Sequence, residues 1–204
     1  FSTEQFFEVF RAYHALLWPA PLLLNALGLL AVLLAFVRRR AASTAISAIL
    51  ALLWIWSGVA YHLAFFTRIN PLAWVFGGVF IVGALLFLWH GVVRGALVFR
   101  ADASARSMLG FGLLLYALLI YPALTTRLGH SYPALPTFGL PCPTTLFSLG
   151  LLALAEPPTP RAPWIVPIAW ALVGASAAFL LDVGPDLALL PAALLGALLL
   201  TQRF

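Results

Sequence analysis

Apolar residues fill the chain in long blocks with almost no polar interruption, so neither a helical stripe nor a strand alternation organises them. A hydrocarbon core of about 30 Å needs about 20 apolar residues in a helix. Charge-free runs read on that rule give Ala15 to Val37, Ala45 to Phe66, Pro71 to Val93 and Ser107 to Thr126. A Pro-rich stretch from Arg127 to Cys142 follows, then a short run from Pro143 to Ala155. Trp164 to Leu181 and Leu187 to Leu200 close the chain. The pattern predicts an all-α, polytopic transmembrane bundle of seven spans within a single domain, residues 1–204. Its fifth span is short enough for a half-helix. Thirteen residues rise only about 20 Å.

Two flanking segments are amphipathic or mixed. In residues 1–13, Phe6, Phe10 and Tyr13 share one helical face, while Glu4, Glu8 and Arg11 share another. This fits a helix lying in the membrane interface, set off from the first span by Trp18-Pro19-Ala20-Pro21 because proline breaks helices. The loop over residues 127–142 carries Leu, Tyr, Phe and Pro and is too apolar for a solvated linker. It reads as a re-entrant lid folding into an outer vestibule, or as an interfacial loop held by its aromatic side chains.

Composition agrees: 64% of the 204 residues are hydrophobic and only 8% charged, where a soluble domain carries about a quarter. This excludes a cytosolic enzyme, a disordered tail and a binder of nucleic acid through a basic face. All eleven basic residues are Arg, so no lysine is present to carry a Schiff-base cofactor such as retinal. The lone Cys142 excludes an internal disulfide and a Cys-rich metal cage. The chain begins at Phe1 without Met, which predicts a trimmed N-terminus, and its first apolar run ends in Arg without a cleavage signature.

Arginine placement sets the orientation. With the N-terminus outside and seven crossings, Arg38, Arg39, Arg40, Arg94, Arg100, Arg106, Arg161 and Arg203 lie inside, against Arg11, Arg68 and Arg127 outside. Glu4, Glu8, Asp182 and Asp186 then lie outside as well, and the C-terminus is cytoplasmic. If the fifth run turned back, the bias would shrink to six against five, so charge favours a crossing.

This topology gathers His14, His62, His130, Arg68, Asn70 and Cys142 at the outer face. Imidazoles and a thiol suit a soft metal ion. The expected metal ligands are His62, His130 and Cys142, with His14 and Arg68 as substrate-binding residues. A soft metal ion is the candidate cofactor. Each residue also has a plainer reading, as an interfacial anchor or a packing residue. In Pro141-Cys142-Pro143, Pro143 is expected at the first position of the short helix, which would set Cys142 where the positive end of a helix dipole favours a thiolate. Asn70-Pro71 is expected to cap the following helix. Gly58, Gly77, Gly78 and Gly83 are expected at close helix contacts. No phosphate loop, Ser-His-Asp set or acidic residue clear of a span end is read, which argues against an enzyme and against a proton-coupled pump.

Several of these pieces resemble one family. They are Ala12-Tyr13-His14 with Trp18-Pro19, Tyr61-His62 with Arg68-Ile69-Asn70-Pro71, and Leu88-Trp89-His90-Gly91-Val92-Val93-Arg94-Gly95. Phe138-Gly139-Leu140-Pro141-Cys142-Pro143-Thr144-Thr145 and Gly150-Leu151-Leu152 match as well. Over nearly its whole length the chain is similar to the bacterial integral-membrane family filed as domain of unknown function 6064. That resemblance implies a small protein of the bacterial inner membrane and is silent on substrate. The expected function is to bind or pass a small solute or soft metal ion at the outer vestibule, with the lipid bilayer as its surroundings. The rival is a non-catalytic subunit of a larger membrane complex, whose aromatic residues face partner helices.

Overall fold

The computed structural model describes residues 1–181 and 183–201; Asp182 and Arg203, both used in the charge arithmetic, lie outside the described residues. Among the described residues all regular structure is helical, and no strand forms. Among the described residues the α-helices are α1 Thr3–Leu17, α2 Ala20–Leu34, α3 Arg40–Trp56, α4 Ala73–Phe87, α5 Ala105–Leu115, α6 Tyr121–Arg127, α7 Pro141–Ala153, α8 Ala162–Leu181 and α9 Leu189–Thr201. Three π-helical turns extend them: Ser57–Leu63 after α3, Leu88–Val93 after α4, and Tyr116–Ile120 joining α5 to α6. Residues 40–68, 73–93, 105–127, 162–181 and 184–201 form helices long and apolar enough to cross a membrane. The pair α1 and α2 makes a sixth only if its bend is ignored.

That bend is 90°, and it falls at Trp18-Pro19, where the sequence predicts a break. On α1 a capping box between Ser2 and Gln5 satisfies the first free amides. Its Glu8–Arg11 pair, 3.1 Å apart, stays exposed, while Phe7, Phe10, Tyr13 and His14 turn inward. The Trp56 indole donates to the Tyr13 hydroxyl at 2.7 Å and ties α1 to α3.

Hydrogen bonds between loops define the two ends of the bundle. At the Arg-rich end, Ala101 N–H donates to Ala35, Arg100 N–H to Leu154 and Glu156 N–H to Val98. Arg100 also pairs with Glu156 at 2.6 Å. At the opposite end, His14 binds Pro133 and Thr137, Ser57 donates to Gly139, and Tyr116 donates to Pro185. Helix α7 starts beside the second set and finishes beside the first. Every one of its residues except Cys142 is buried, so the run that looks weakest in the sequence is the axis around which the others pack.

Helix association in lipid relies on close packing, since hydrocarbon is as apolar as leucine. Gly110 of α5 and Gly150 of α7 supply it. A Cβ on Gly110 would lie 2.7 Å from the Gly150 carbonyl, and one on Gly150 would lie 2.9 Å from the Gly110 carbonyl. Of the glycines expected at contacts, Gly58, Gly77 and Gly83 sit between α3 and α4 or their extensions, whereas Gly78 faces open space. Two polar groups inside the spans find partners within the bundle: Asn25 donates to the Pro21 carbonyl one turn back at 2.8 Å, and Trp54 of α3 donates to Ser148 of α7 at 2.8 Å.

Candidate functional site

A cavity of about 500 Å³ opens at the end away from the arginine cluster. Six parts of the chain build it: residues 1–10 in and before α1, the segment from the first π turn into α4, the start of α6, the loop before α7 with the α7 N-terminus, the second half of α8, and the turn before α9. Most of its wall is aromatic or aliphatic. The polar groups on it are Tyr61, His62, Asn70, Tyr121, Cys142, Trp170, Ser176 and Asp186.

His62 is 1% exposed, and neither of its ring nitrogens has a hydrogen-bond partner among the described residues. The indole nitrogen of Trp170 is unpartnered too, and its ring stands edge-on to the imidazole with centroids 5.1 Å apart. Phe80 and Phe76 complete the surround at 5.0 and 5.8 Å. Buried polar atoms almost always find a partner, and leaving one without costs about 1–3 kcal/mol. The two residues that carry these three atoms both line the cavity.

The π turn explains how His62 comes to face it. Residues five apart on an α-helix point about 140° away from each other; a π turn closes from i to i+5 and brings them onto one side. Ser57 at the start of the turn donates to the Gly139 carbonyl at 2.8 Å, and His62 five residues on meets the cavity on that same side. Gly139, at φ +94°, sits against Leu24 with no room for a side chain.

On the facing wall, Asp186 is 3% exposed and accepts from the Tyr121 hydroxyl at 2.5 Å. Cys142 stands beside it. Asp186 belongs to the short 3-10 turn Gly184–Ala188. The charge arithmetic counts it among the acids of the outer side; in the structure its carboxyl is buried in the bundle. Two buried residues, Tyr121 and Trp170, are also absent from the sequence-derived set. Their signal was faint, a polar-tipped aromatic within an apolar run. Asp186 had a clearer one, because the 14-residue run after it is too short to span unless the helix begins earlier.

The expected ligands do not assemble as a group. His62 and Cys142 both line the cavity, but His130 lies elsewhere, stacked on Phe7 with centroids 3.6 Å apart. Among the described residues no three His, Cys, Asp or Glu side chains are placed to hold a metal ion. His14 does not reach the cavity either. Its Nδ1 lies 2.7 Å from the Pro133 carbonyl, which can only accept, so Nδ1 carries the proton and Nε2 accepts from Thr137 at 2.9 Å. This ring is a clamp on the loop. Arg68 is exposed, with its guanidinium 5.0 Å from the Phe65 ring centre, in a separate surface depression with Gln5 and Glu8.

The start of α7 differs slightly from expectation. Pro141, and not Pro143, is its first residue, with Leu140 before it. Cys142 therefore sits in the first turn, but its thiol shares that end with the Asp186 carboxyl. The loop before it does fold inward: Leu135, Phe138 and Leu140 are buried, and Phe138 packs edge-on against Phe147 at 4.9 Å. Asn70 Oδ1 accepts from Leu72 N–H at 3.0 Å, just ahead of α4. A family model described as "Family of unknown function (DUF6064)" matches residues 3–204. No curated protein and no solved structure matches the chain.

Proposed function

The chain belongs to the family of unknown function DUF6064, and from that premise we propose that it is a membrane-embedded receptor for a small, largely apolar molecule with a hydrogen-bonding head. The observation that carries this reading is that two neighbouring residues on the wall of a cavity of about 500 Å³, His62 and Trp170, have ring nitrogens without a hydrogen-bond partner among the described residues. That volume falls within the roughly 300–1,000 Å³ of small-molecule sites. Aromatic walls hold the body of the ligand by contact. A neutral imidazole gives one donor and one acceptor, and the indole adds a second donor. The site binds without bond-making chemistry, and among the described residues no three His, Cys, Asp or Glu side chains are placed to hold a metal ion there.

In this reading the protein crosses a bacterial inner membrane seven times, with the N-terminus and the cavity outside and the C-terminus in the cytoplasm. Support comes from the loop contacts that put the two ends of α7 at opposite ends of the bundle, and from the clustering of Arg38, Arg39, Arg40, Arg94, Arg100, Arg106 and Arg161 away from the cavity. Helix α1 lies along the outer interface.

The test is equilibrium binding of 1-naphthol, an aromatic ring with one hydroxyl, to the purified protein in lipid nanodiscs. Saturable binding weakened about tenfold by Trp170→Phe or His62→Ala, matching the loss of one buried hydrogen bond, supports the reading. Binding that is non-saturable, or indifferent to both changes in folded protein, refutes it.

A further inference from the structure

The cavity is covered by aromatic rings on one side and bordered by exposed apolar residues on another. Its roof is a layer of aromatic rings: Phe6 meets Phe10 edge-on at 4.8 Å and Phe66 at 6.0 Å, and Phe10 and Phe66 are buried. Pro136 and Leu140 from the loop lie alongside. On one side the wall is different. Leu72, Val173 and Leu180 line the cavity and yet are 58%, 43% and 81% exposed. Residues that line a cavity and are also exposed mark its mouth, and Phe1, at 51%, and Ser176 belong to that rim as well.

The positions of Leu72, Val173 and Leu180 define a slot. Leu72 stands at the start of α4. Val173 and Leu180 are seven residues apart on one face of α8, two turns and about 10 Å along the axis. Deeper in, Phe76 and Phe80 of α4 close against Trp170 of α8 at 5.2 and 4.7 Å. The two helices thus touch at Trp170 and leave a gap above it, rimmed by apolar side chains on a helix long and apolar enough to cross a membrane. In the orientation proposed above, that rim faces the bilayer.

Charge narrows the head of the ligand. Among the described residues no Lys or Arg lines the cavity, and its one carboxyl, Asp186, is held by Tyr121. A phosphate or carboxylate head would be desolvated there with no counter-charge, which is expensive. Hydroxyl and carbonyl groups fit the donors and acceptor that His62 and Trp170 offer.

Resting on the receptor reading above, we propose that the ligand is a neutral single-chain lipid of the monoacylglycerol type, which enters sideways from the bilayer. Its hydroxyl head meets His62 and Trp170, and its chain leaves through the slot between α4 and α8.

Photolabelling tests this in phosphatidylcholine nanodiscs, with a monoacylglycerol probe carrying a diazirine in mid-chain. Peptides containing Leu72–Phe76 and Val173–Leu180 are expected to carry most of the label. Unlabelled 1-oleoylglycerol competes, and lysophosphatidylglycerol does not. Val173→Trp, at a lipid-facing position that does not disturb the core, plugs the mouth and lowers the labelling roughly tenfold. Label spread over all lipid-facing helices, or equal competition by lysophosphatidylglycerol, overturns the proposal. If 1-naphthol still binds in a His62-dependent manner while the lipid probe does not, the receptor reading stands and lateral lipid entry falls. If neither binds, both fall.

Discussion

The Tyr121 hydroxyl donates to the Asp186 carboxyl at 2.5 Å, joining helix α6 to a short turn 65 positions later. Five residues earlier, the Tyr116 hydroxyl donates to the Pro185 carbonyl of the same turn at 2.9 Å. On an unbroken α-helix these two tyrosines would diverge by about 140°. The π turn Tyr116–Ile120 lets both reach one target. A buried carboxyl is thereby fixed in the cavity wall without a salt bridge.

Tyr121→Phe is expected to remove that donor and lower unfolding stability by about 1–3 kcal/mol, because Asp186 is left buried without its partner. Tyr121→Phe with Asp186→Leu removes both polar groups and is expected to recover part of the loss. Thermal unfolding in nanodiscs, read as a double-mutant cycle, checks this. Strict additivity would mean that the pair does not interact.

The clamp on the outer loop predicts a separation of effects. His14→Ala frees the Pro133 carbonyl and the Thr137 hydroxyl together. Hydrogen exchange over residues 131–138 is expected to rise by about tenfold or more, since each lost bond is worth about 1 kcal/mol. Affinity for 1-naphthol is expected to change far less than in His62→Ala. Unchanged exchange would show that the loop is held by its buried Phe138 and Leu140 alone.

Close packing at α5 and α7 gives a third expectation. Gly110→Val places a branched side chain against the Gly150 carbonyl, and a backbone carbonyl cannot move aside. A loss of about 1–3 kcal/mol follows from such overpacking. Gly78→Val, which faces open space, is expected to leave the melting temperature nearly unchanged. Equal effects of the two would contradict the helix contact.

Orientation is testable through exposed serines at opposite ends of the bundle. In a Cys142→Ser background, a membrane-impermeant maleimide applied to intact cells is expected to label Ser2→Cys. Ser104→Cys is expected to label only after permeabilisation. The reverse pattern would invert the topology, and labelling of both in intact cells would remove the crossing by α2–α4.

The sequence made the all-helical class, the five long apolar helices and the break at Trp18-Pro19 legible, because each rests on local physics: apolar length, or a missing amide. It also marked the Pro141-Cys142-Pro143 start and the inward loop, since proline and buried aromatics are local signals. The site was only half legible. His62 and Cys142 stood out as rare polar residues, but nothing in the sequence separated His62 from His14, whose nitrogens are used up by Pro133 and Thr137. The π turns left no trace, because helices that are apolar on all sides have no stripe whose phase could be seen to slip. Asp186 enters the sequence reading only as a charge between two apolar runs, on the outer side. Only its tertiary partners, Tyr121 and Cys142, take it inside.

The most direct measurement of the central claim is nitrogen-15 NMR of histidine-labelled protein in nanodiscs, titrated with 1-naphthol. The chain has four histidines, and the His62 ring signals are assigned by their loss in His62→Asn. Selective movement of the His62 signals, with those of His14, His90 and His130 unmoved, is the expected result. His62 signals that stay in place as the probe saturates, or that move together with the other three, would contradict a receptor site built on this residue.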